Sequence, residues 1–136
     1  MERTVDPEGA GGNDPIRVVL ADDHAQFRAG LKEMLLTEGG IEVVGEAQDG
    51  AQAVEVAGRV RPDVVILDLA MPAMDGREAL GPILRDVWPP PRVVILTMHG
   101  GTGQRRELLG MGASAFLAKS ASLQEIIVAV KGPRRA

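Results

Sequence analysis

The chain contains no cysteine, and aromatic residues make up only 2% of it. Without cysteine, neither a disulfide framework nor a thiolate metal site can form. With so few aromatic rings, the hydrophobic core must rest on Val, Ile, Leu, Met and Ala. No apolar run approaches the roughly 20 residues of a membrane span, and no charged start followed by an apolar stretch indicates a signal peptide. These absences favour a cytoplasmic protein with no membrane partner.

An excess of positive charge is also missing. The net charge is −4 and the sequence pI is about 5.2, which argues against this chain itself binding nucleic acid through the phosphate backbone. The 136 residues, 45% of them hydrophobic and 25% charged, suit one ordinary globular domain. We expect residues 1–14 to form a disordered tail, residues 15–131 the domain, and residues 132–136 a linker stub or C-terminal tail.

Apolar runs alternate along the chain with segments of helical periodicity. The runs predict strands at residues 16–20, 41–46, 63–67, 92–97 and 114–118. Helical spacing is found at Phe27, Leu31, Met34 and Leu35, at Ala53, Val54 and Ala57, and at Leu123, Ile126, Ile127 and Val130. Strand and helix thus alternate five times, which predicts a parallel sheet covered on both faces. We expect a flavodoxin-like doubly wound (βα)5 fold with strand order 2-1-3-4-5.

Three of the predicted helices have irregular features. The second helix is expected to be short and to end near Gly58. Pro82 falls within the third helix and predicts a kink or a late start there. The fourth helix region, from Gly100 to Gly110, holds four glycines, each costing about 1 kcal/mol relative to alanine, so this helix should be short or mobile.

Polar side chains follow the predicted strands where each one ends. They are Asp22 and Asp23 after strand 1, Asp68 after strand 3, Thr97 at the end of strand 4, and Lys119 after strand 5. Parallel sheets place their sites beyond the carboxyl ends of the strands, so these side chains should converge. Three clustered carboxylates need a cation, and oxygen ligands with room for water and phosphate suit Mg²⁺.

The chemistry of this cluster indicates phosphoryl transfer. An aspartate can attack phosphorus to give an acyl phosphate, and an ammonium and a metal ion can neutralise the transferred group. Each residue also has an ordinary interpretation: Asp22 and Asp23 could cap a helix, Asp68 could lie in a turn, Thr97 could be plain strand, and Lys119 could be a solvated lysine. The five together, at successive strand ends, favour the site.

Four segments resemble the receiver domains of two-component response regulators, over about residues 16–131. They are residues 18–24 (VVLADDH), 63–76 (DVVILDLAMPAMDG), 93–97 (VVILT) and 112–119 (GASAFLAK). The intervals also suit that family: 45 residues from Asp23 to Asp68, 29 from Asp68 to Thr97 and 22 from Thr97 to Lys119.

The resemblance implies a role for each site residue. Asp68 would be the phosphoacceptor, phosphorylated by a sensor histidine kinase. Mg²⁺ would be bound by Asp23 and Asp68 directly, by Asp22 mainly through water, and by the backbone carbonyl of Ala70. Thr97 would move toward the phosphoryl group and Lys119 would supply the ammonium. Phe116 would follow Thr97 as a buried switch residue, which is compatible with ordinary core packing.

The Asp-Asp-His start and the segment ending Lys119-Ser120 look most like the NarL/FixJ-type subfamily. Those regulators usually join the receiver to a LuxR-type helix-turn-helix, so the resemblance implies transcription control, DNA binding only through an output domain absent from this chain, and homodimer formation on phosphorylation. Two features depart from many receivers: Ser120 replaces a proline after the lysine, and Ala70 places a small apolar side chain beside the site.

Other functions compete with this interpretation. A haloacid-dehalogenase-like phosphatase would need a second acid at the position of Ala70, which cannot move a proton. A pseudo-receiver would act only as an interaction module, but such domains usually lose an acid, the threonine or the lysine. A flavodoxin would need backbone donors after strand 1, where Asp22 and Asp23 stand.

Overall fold

The computed structural model describes residues 14–98 and 102–132. Most of the predicted N-terminal tail (1–13), Gly100 and Gly101 of the fourth helix region, and residues 133–136 of the predicted linker lie outside the described residues. The domain boundaries drawn from the sequence therefore stay predictions.

Five strands and five helices alternate within the described residues. The strands are β1 (Ile16–Ala21), β2 (Ile41–Ala47), β3 (Val64–Asp68), β4 (Arg92–Thr97) and β5 (Ala115–Ala118). The helices are α1 (Ala25–Glu38), α2 (Gly50–Val60), α3 (Gly76–Asp86), α4 (Thr102–Gly110) and α5 (Leu123–Lys131). In this part of the chain, no helix combines the length and the apolar character needed to cross a membrane.

The strands form one parallel sheet in the order β2-β1-β3-β4-β5, which confirms the flavodoxin-like fold. All five residues of the central strand β3 are buried, as expected for a strand with helices on both faces of its sheet. The alternation of side chains along each strand divides the core. Val19 and Val65 face the side of α2 and α3, whereas Val18 and Ile66 face the side of α1 and α5.

The third helix begins where Asp75 and Glu78 form a capping box. The predicted late start is wrong, because this reciprocal pair satisfies the first backbone donors of the helix at Gly76. Pro82 lies inside the helix, which continues to Asp86. Burial of three apolar side chains on α3 stabilises the helix through this position. They are Ala79, Leu80 and Ile83.

Two other helices show local detail. Helix α2 ends at Val60, close to the end predicted near Gly58, and closes with Arg61 in the left-handed region. The buried residues of α1 are Leu31 and Leu35, whereas Met34 is 42% exposed. The fourth helix is short, with nine residues, as expected.

Candidate functional site

The sheet brings the predicted polar residues to one edge. The register pairs Ala21 with Leu67 and Asp68 with Leu96, so the β1 end lies beside Asp68. It also pairs Thr97 with Ala118, and the backbone amide of Lys119 donates to the Thr97 carbonyl at 2.9 Å. The carboxyl ends of four neighbouring strands therefore surround one shallow site.

Lys119 is the cation at the centre of this site. Its side chain is only 4% exposed, and its Nζ lies 2.7 Å from Oδ2 of Asp22 and 3.2 Å from Oδ2 of Asp68. The same Nζ lies 4.6 Å from the centroid of the Phe27 ring, within the range of a cation–π contact. Burial opposes the charge of Lys119, but hydrogen bonding to Asp22 and the charge of Asp68 raise its pKa. The interpretation as a solvated surface lysine is therefore wrong.

Asp68 is buried to 1% exposure at the end of β3. Its Oδ1 accepts a hydrogen bond from the backbone amide of Ala70 at 3.2 Å. Burial, followed by the negative charge of Asp22, raises the pKa of Asp68 despite the opposing charge of Lys119. Burial is thus the main reason that the pKa of Asp68 rises, and the excess of carboxylates over the one ammonium adds to it.

The segment from Asp22 to Arg28 is held by polar contacts. The Asp22 amide donates to the Ala47 carbonyl at 2.9 Å, and Oδ1 of Asp22 accepts from the His24 amide at 2.8 Å. Arg28 donates from Nη1 to the Asp22 carbonyl and from Nε to Oε1 of Glu46 at 2.7 Å. These contacts tie the start of α1 to the ends of β1 and β2.

Helix α1 begins after His24, whose side chain makes no capping hydrogen bond. Neither Asp22 nor Asp23 is the N-cap, so the interpretation of these acids as helix caps is wrong. Their carboxylates face the site instead, because Asp22 is engaged by Lys119 and both acids lie beside the ring of His24.

The carboxylates form a donor set that fits a divalent cation. Asp22, Asp23, His24 and Asp68 each offer one ligand atom, and these atoms lie within 4.8 Å of one another. Three carboxylates against the one ammonium of Lys119 leave two negative charges at a partly buried site. That excess, and the preference of Mg²⁺ for oxygen ligands, match the acidic cluster expected from the sequence.

The loop from Leu69 to Asp75 returns onto the end of β3. The Gly76 amide donates to the Leu69 carbonyl at 3.1 Å, and a Cβ at Gly76 would lie 2.2 Å from the carbonyl oxygen of Asp68. Only glycine fits this close approach. The start of α3 thereby fixes the backbone that carries Asp68.

The remaining predicted residues lie at the rim of the site or behind it. Thr97 is buried at 4% exposure. Ala70 is exposed, and its amide is directed to Asp68. Phe116 is only half-buried, not fully buried as expected, because it lies on the edge strand β5 and packs against the core from one side.

Sequence reasoning assigned no role to four residues that the fold brings to this site. They are His24, Phe27, Arg28 and Glu46. The Arg28–Glu46 pair could have been predicted, because Glu46 lies near the end of β2 and Arg28 lies one helical turn after His24. The contact between the Phe27 ring and Lys119 could not, because it depends on how α1 packs.

The sequence matches one protein family and several known relatives. The family described as "Response regulator receiver domain" matches residues 18–131. "Probable transcriptional regulatory protein NarL" of Mycobacterium tuberculosis is 39% identical over 117 residues, covering 86% of this chain and 54% of the relative. "Transcriptional regulatory protein LiaR" of Bacillus subtilis is 38% identical over 116 residues, covering 85% of this chain and 54% of the relative. The chain spans about half the length of these relatives.

Solved structures agree with the sequence matches. The receiver domain of the putative response regulator NarL from Mycobacterium tuberculosis has a TM-score of 0.79 and 35% identity, covering 88% of this chain and 99% of that one. A CheX–CheY–BeF3–Mg complex from Borrelia burgdorferi has a TM-score of 0.81 and 26% identity, covering 88% and 90%. A Burkholderia pseudomallei response regulator with a phosphorylated aspartic acid, a calcium ion and citrate has a TM-score of 0.76 and 25% identity, covering 85% and 66%.

Proposed function

Because the chain belongs to the response regulator receiver domain family, we propose that Asp68 is its phosphoacceptor. The observation that carries the proposal is the Asp68 carboxylate itself, buried at a strand end with Lys119 Nζ 3.2 Å from Oδ2 and the Ala70 amide on Oδ1. A carboxylate held in this way is oriented for attack. Structures of similar proteins carry a phosphorylated aspartic acid or a BeF3 group with magnesium.

The reaction moves one phosphoryl group to Asp68. A carboxylate oxygen bonds to phosphorus as the bond from phosphorus to the donor breaks, and the donor leaves with the electron pair and takes up a proton. Lys119 holds a positive charge beside the transferred group, and the Thr97 hydroxyl donates to a phosphoryl oxygen after moving toward it. Phe116 follows Thr97 in that movement, from its half-buried position on β5.

Mg²⁺ is the cofactor of this proposal. The residues that would hold it are Asp23 and Asp68 directly, Asp22 mainly through water, and Ala70 through its backbone carbonyl. When bound, Mg²⁺ would offset the excess carboxylate charge and the charge of the phosphoryl group. The small side chain of Ala70 offers no acid or base to an attacking water, which limits the chain to slow self-dephosphorylation.

The similarity to transcriptional regulators supports a proposal for the natural phosphoryl donor and for the process that the domain controls. We assign the donor to a phosphohistidine on a sensor kinase. Phosphorylation would then change the signalling face around β4, α4 and β5, favour homodimer formation, and control transcription through a DNA-binding output domain outside this chain. The acidic net charge of −4 is consistent with DNA contacts being made by another domain.

The experiment is phosphorylation by acetyl phosphate with Mg²⁺, read by intact mass. We expect the wild type to gain about 80 Da, one phosphoryl group on a carboxylate, and Asp68→Asn to gain nothing. Asp86→Asn is the matched control, since Asp86 lies at the end of α3 and pairs with Arg85. An unchanged adduct in Asp68→Asn would overturn the assignment, and no adduct in the wild type would favour an interaction module instead.

A further inference from the structure

We propose that His24 is a ligand of the divalent cation at this site and makes the preference of the site for transition-metal ions stronger than its carboxylates alone would. The proposal rests on the proposed function in one respect, which is that both use the same cation site. It adds a residue that the chemistry of phosphoryl acceptance does not require. It also makes the occupancy of the site depend on which divalent ion is available.

The position of the imidazole carries the proposal. His24 Nδ1 lies 3.3 Å from Oδ1 of Asp22 and 3.3 Å from Oδ1 of Asp23. Around an ion with bonds of about 2.1 Å, adjacent ligand atoms lie about 3.0 Å apart and opposite ones about 4.2 Å apart. The nitrogen therefore already stands near the separation of an adjacent ligand from Asp23, the acid proposed to bind the ion directly. Shifts of a few tenths of an ångström would complete the set.

Hydrogen bonds hold the backbone of His24 next to the acids, while its side chain is 61% exposed. Its amide donates to Oδ1 of Asp22, and its carbonyl accepts from the Arg28 amide at 3.0 Å as α1 begins. Lys119 engages the other oxygen of Asp22, Oδ2, at 2.7 Å. The ammonium and the imidazole thus contact different oxygens of Asp22, and Nζ of Lys119 lies 3.5 Å from His24 Nδ1. An ion bound by His24 would replace this long contact between the ammonium and the imidazole nitrogen.

The kind of ligand atom, nitrogen or oxygen, determines which metal ions the site prefers. Mg²⁺ favours oxygen ligands and gives up water reluctantly, so an imidazole contributes little to its binding. Imidazole suits Co²⁺, Ni²⁺ and Zn²⁺, whose affinities for mixed nitrogen and oxygen sites follow the Irving–Williams order. Replacing one metal-bound water by the His24 nitrogen should therefore raise the affinity for Co²⁺ much more than the affinity for Mg²⁺.

The test measures Mg²⁺ and Co²⁺ affinities of the untagged chain and of His24→Gln. The chain has two histidines, so His99→Gln is the matched control. We expect His24→Gln to lower the ratio of Co²⁺ affinity to Mg²⁺ affinity about tenfold, within the range for loss of a metal-site partner. His99→Gln should keep the wild-type ratio. Equal ratios in wild type and His24→Gln would overturn the proposal.

A spectroscopic measurement separates ligation from an indirect effect. In the Co²⁺-loaded protein, an imidazole ligand gives a strongly shifted ring N–H proton signal in the NMR spectrum. That signal should be present in the wild type and in His99→Gln and absent from His24→Gln. Its persistence in His24→Gln would show that His24 does not bind the ion.

The two proposals can fail separately. If the wild type accepts a phosphoryl group with Mg²⁺ but its Co²⁺ spectrum does not depend on His24, the role of His24 fails and the function stands. If Co²⁺ binds through His24 but Mg²⁺ and acetyl phosphate give no adduct, the function fails and the metal ligand stands.

Discussion

The two sides of the site are held in different ways. On one side, the β1–α1 segment (residues 22–28) is tied down by directional polar contacts, with Arg28 bridging the Asp22 carbonyl and Glu46 on β2. On the other side, the α4 segment (residues 102–111) has Leu108 as its one buried residue among those described, and its Glu107 pairs with Arg77 at the surface.

This difference matches the two tasks of a receiver domain. Polar contacts fix distance and angle, which a cation site needs because its ligand atoms must stay within a few tenths of an ångström of their places. A helix held by one buried leucine, the partly buried Leu109 and an exposed ion pair has a low local stability. Such a helix responds to a small change in free energy at the site.

The cation site on the polar side is the first place to test the comparison. Asp23→Ala removes an anionic oxygen, so it should weaken Mg²⁺ binding about a hundredfold or more, since losing even an outer-shell partner costs about 10–100-fold. Titration calorimetry measures this. Glu55→Ala, an acid exposed on α2, is the control. Equal affinity in Asp23→Ala and wild type would place the cation elsewhere.

Arg28 and Arg77 allow the two sides to be compared directly. Both arginines pair with a glutamate, but the Arg28 side chain is 12% exposed and the Arg77 side chain 51%. Arg28→Ala should lower the free energy of unfolding by about 2 kcal/mol, because a charged hydrogen-bonded group is lost at a part-buried position. Arg77→Ala should cost about 0.5 kcal/mol or less. Denaturant unfolding measures both.

Mg²⁺ titration of the same two variants adds a second criterion. Arg28→Ala should weaken Mg²⁺ binding several-fold, since the Asp22 carbonyl loses its donor, and Arg77→Ala should leave it at the wild-type value. Similar losses in both variants would contradict the distinction between the two sides.

Asp68, between the two sides, gives a prediction about pH. Burial, followed by the charge of Asp22, raises its pKa, so its negative charge costs free energy in the folded protein at neutral pH. Asp68→Asn should raise the free energy of unfolding by about 1 kcal/mol in Mg²⁺-free buffer. The pKa of an aspartate in the unfolded chain is about 3.9. Because the pKa of Asp68 is higher in the folded protein, its protonation contributes fully to stability below that pH, and this contribution is lost as the pH rises through the pKa of the folded state.

The advantage of Asp68→Asn should therefore be largest at neutral pH and shrink as the pH falls toward about 3.9. Thermal unfolding of wild type and variant across this range measures the difference. An advantage that grows on acidification would mean that the pKa of Asp68 is lowered in the folded state instead.

The last prediction concerns the α4 segment. An acyl phosphate adds charge and acceptor oxygens beside Thr97 and Lys119, and we expect it to stabilise residues 102–111 by about 1–2 kcal/mol, the usual size of allosteric coupling. Amide exchange of the Mg²⁺-bound protein, with and without a beryllofluoride phosphate mimic, measures it. Protection that stays confined to the surroundings of Asp68 would show that α4 is not the switch.

Much of this architecture was readable from local sequence patterns. The strand β4 was located at its observed bounds, Arg92–Thr97, because the four residues between its ends form an unbroken apolar run, as expected for a strand buried on both faces. The strand order followed from alternation and crossover handedness. That order was enough to predict Asp22, Asp68 and Lys119 at one edge.

Local patterns failed where a distant contact outweighs a local preference. Asp22 and Asp23 resemble caps of the next helix, yet the folded chain directs them to Lys119 and His24. The end of α2 was located only approximately, since the helix passes the predicted end near Gly58 and ends at Val60, with Val56 and Ala57 buried in the core.

The sequence by itself determined the element order, the sheet and the acids at its edge, since these depend on periodicity and on residues next to each strand. Only the tertiary structure decided how the acids are held. Arg28 and Glu46 are 18 residues apart, and Lys119 and His24 are 95 apart. Such pairs depend on helix packing and side-chain direction, which a pattern of single residues does not encode.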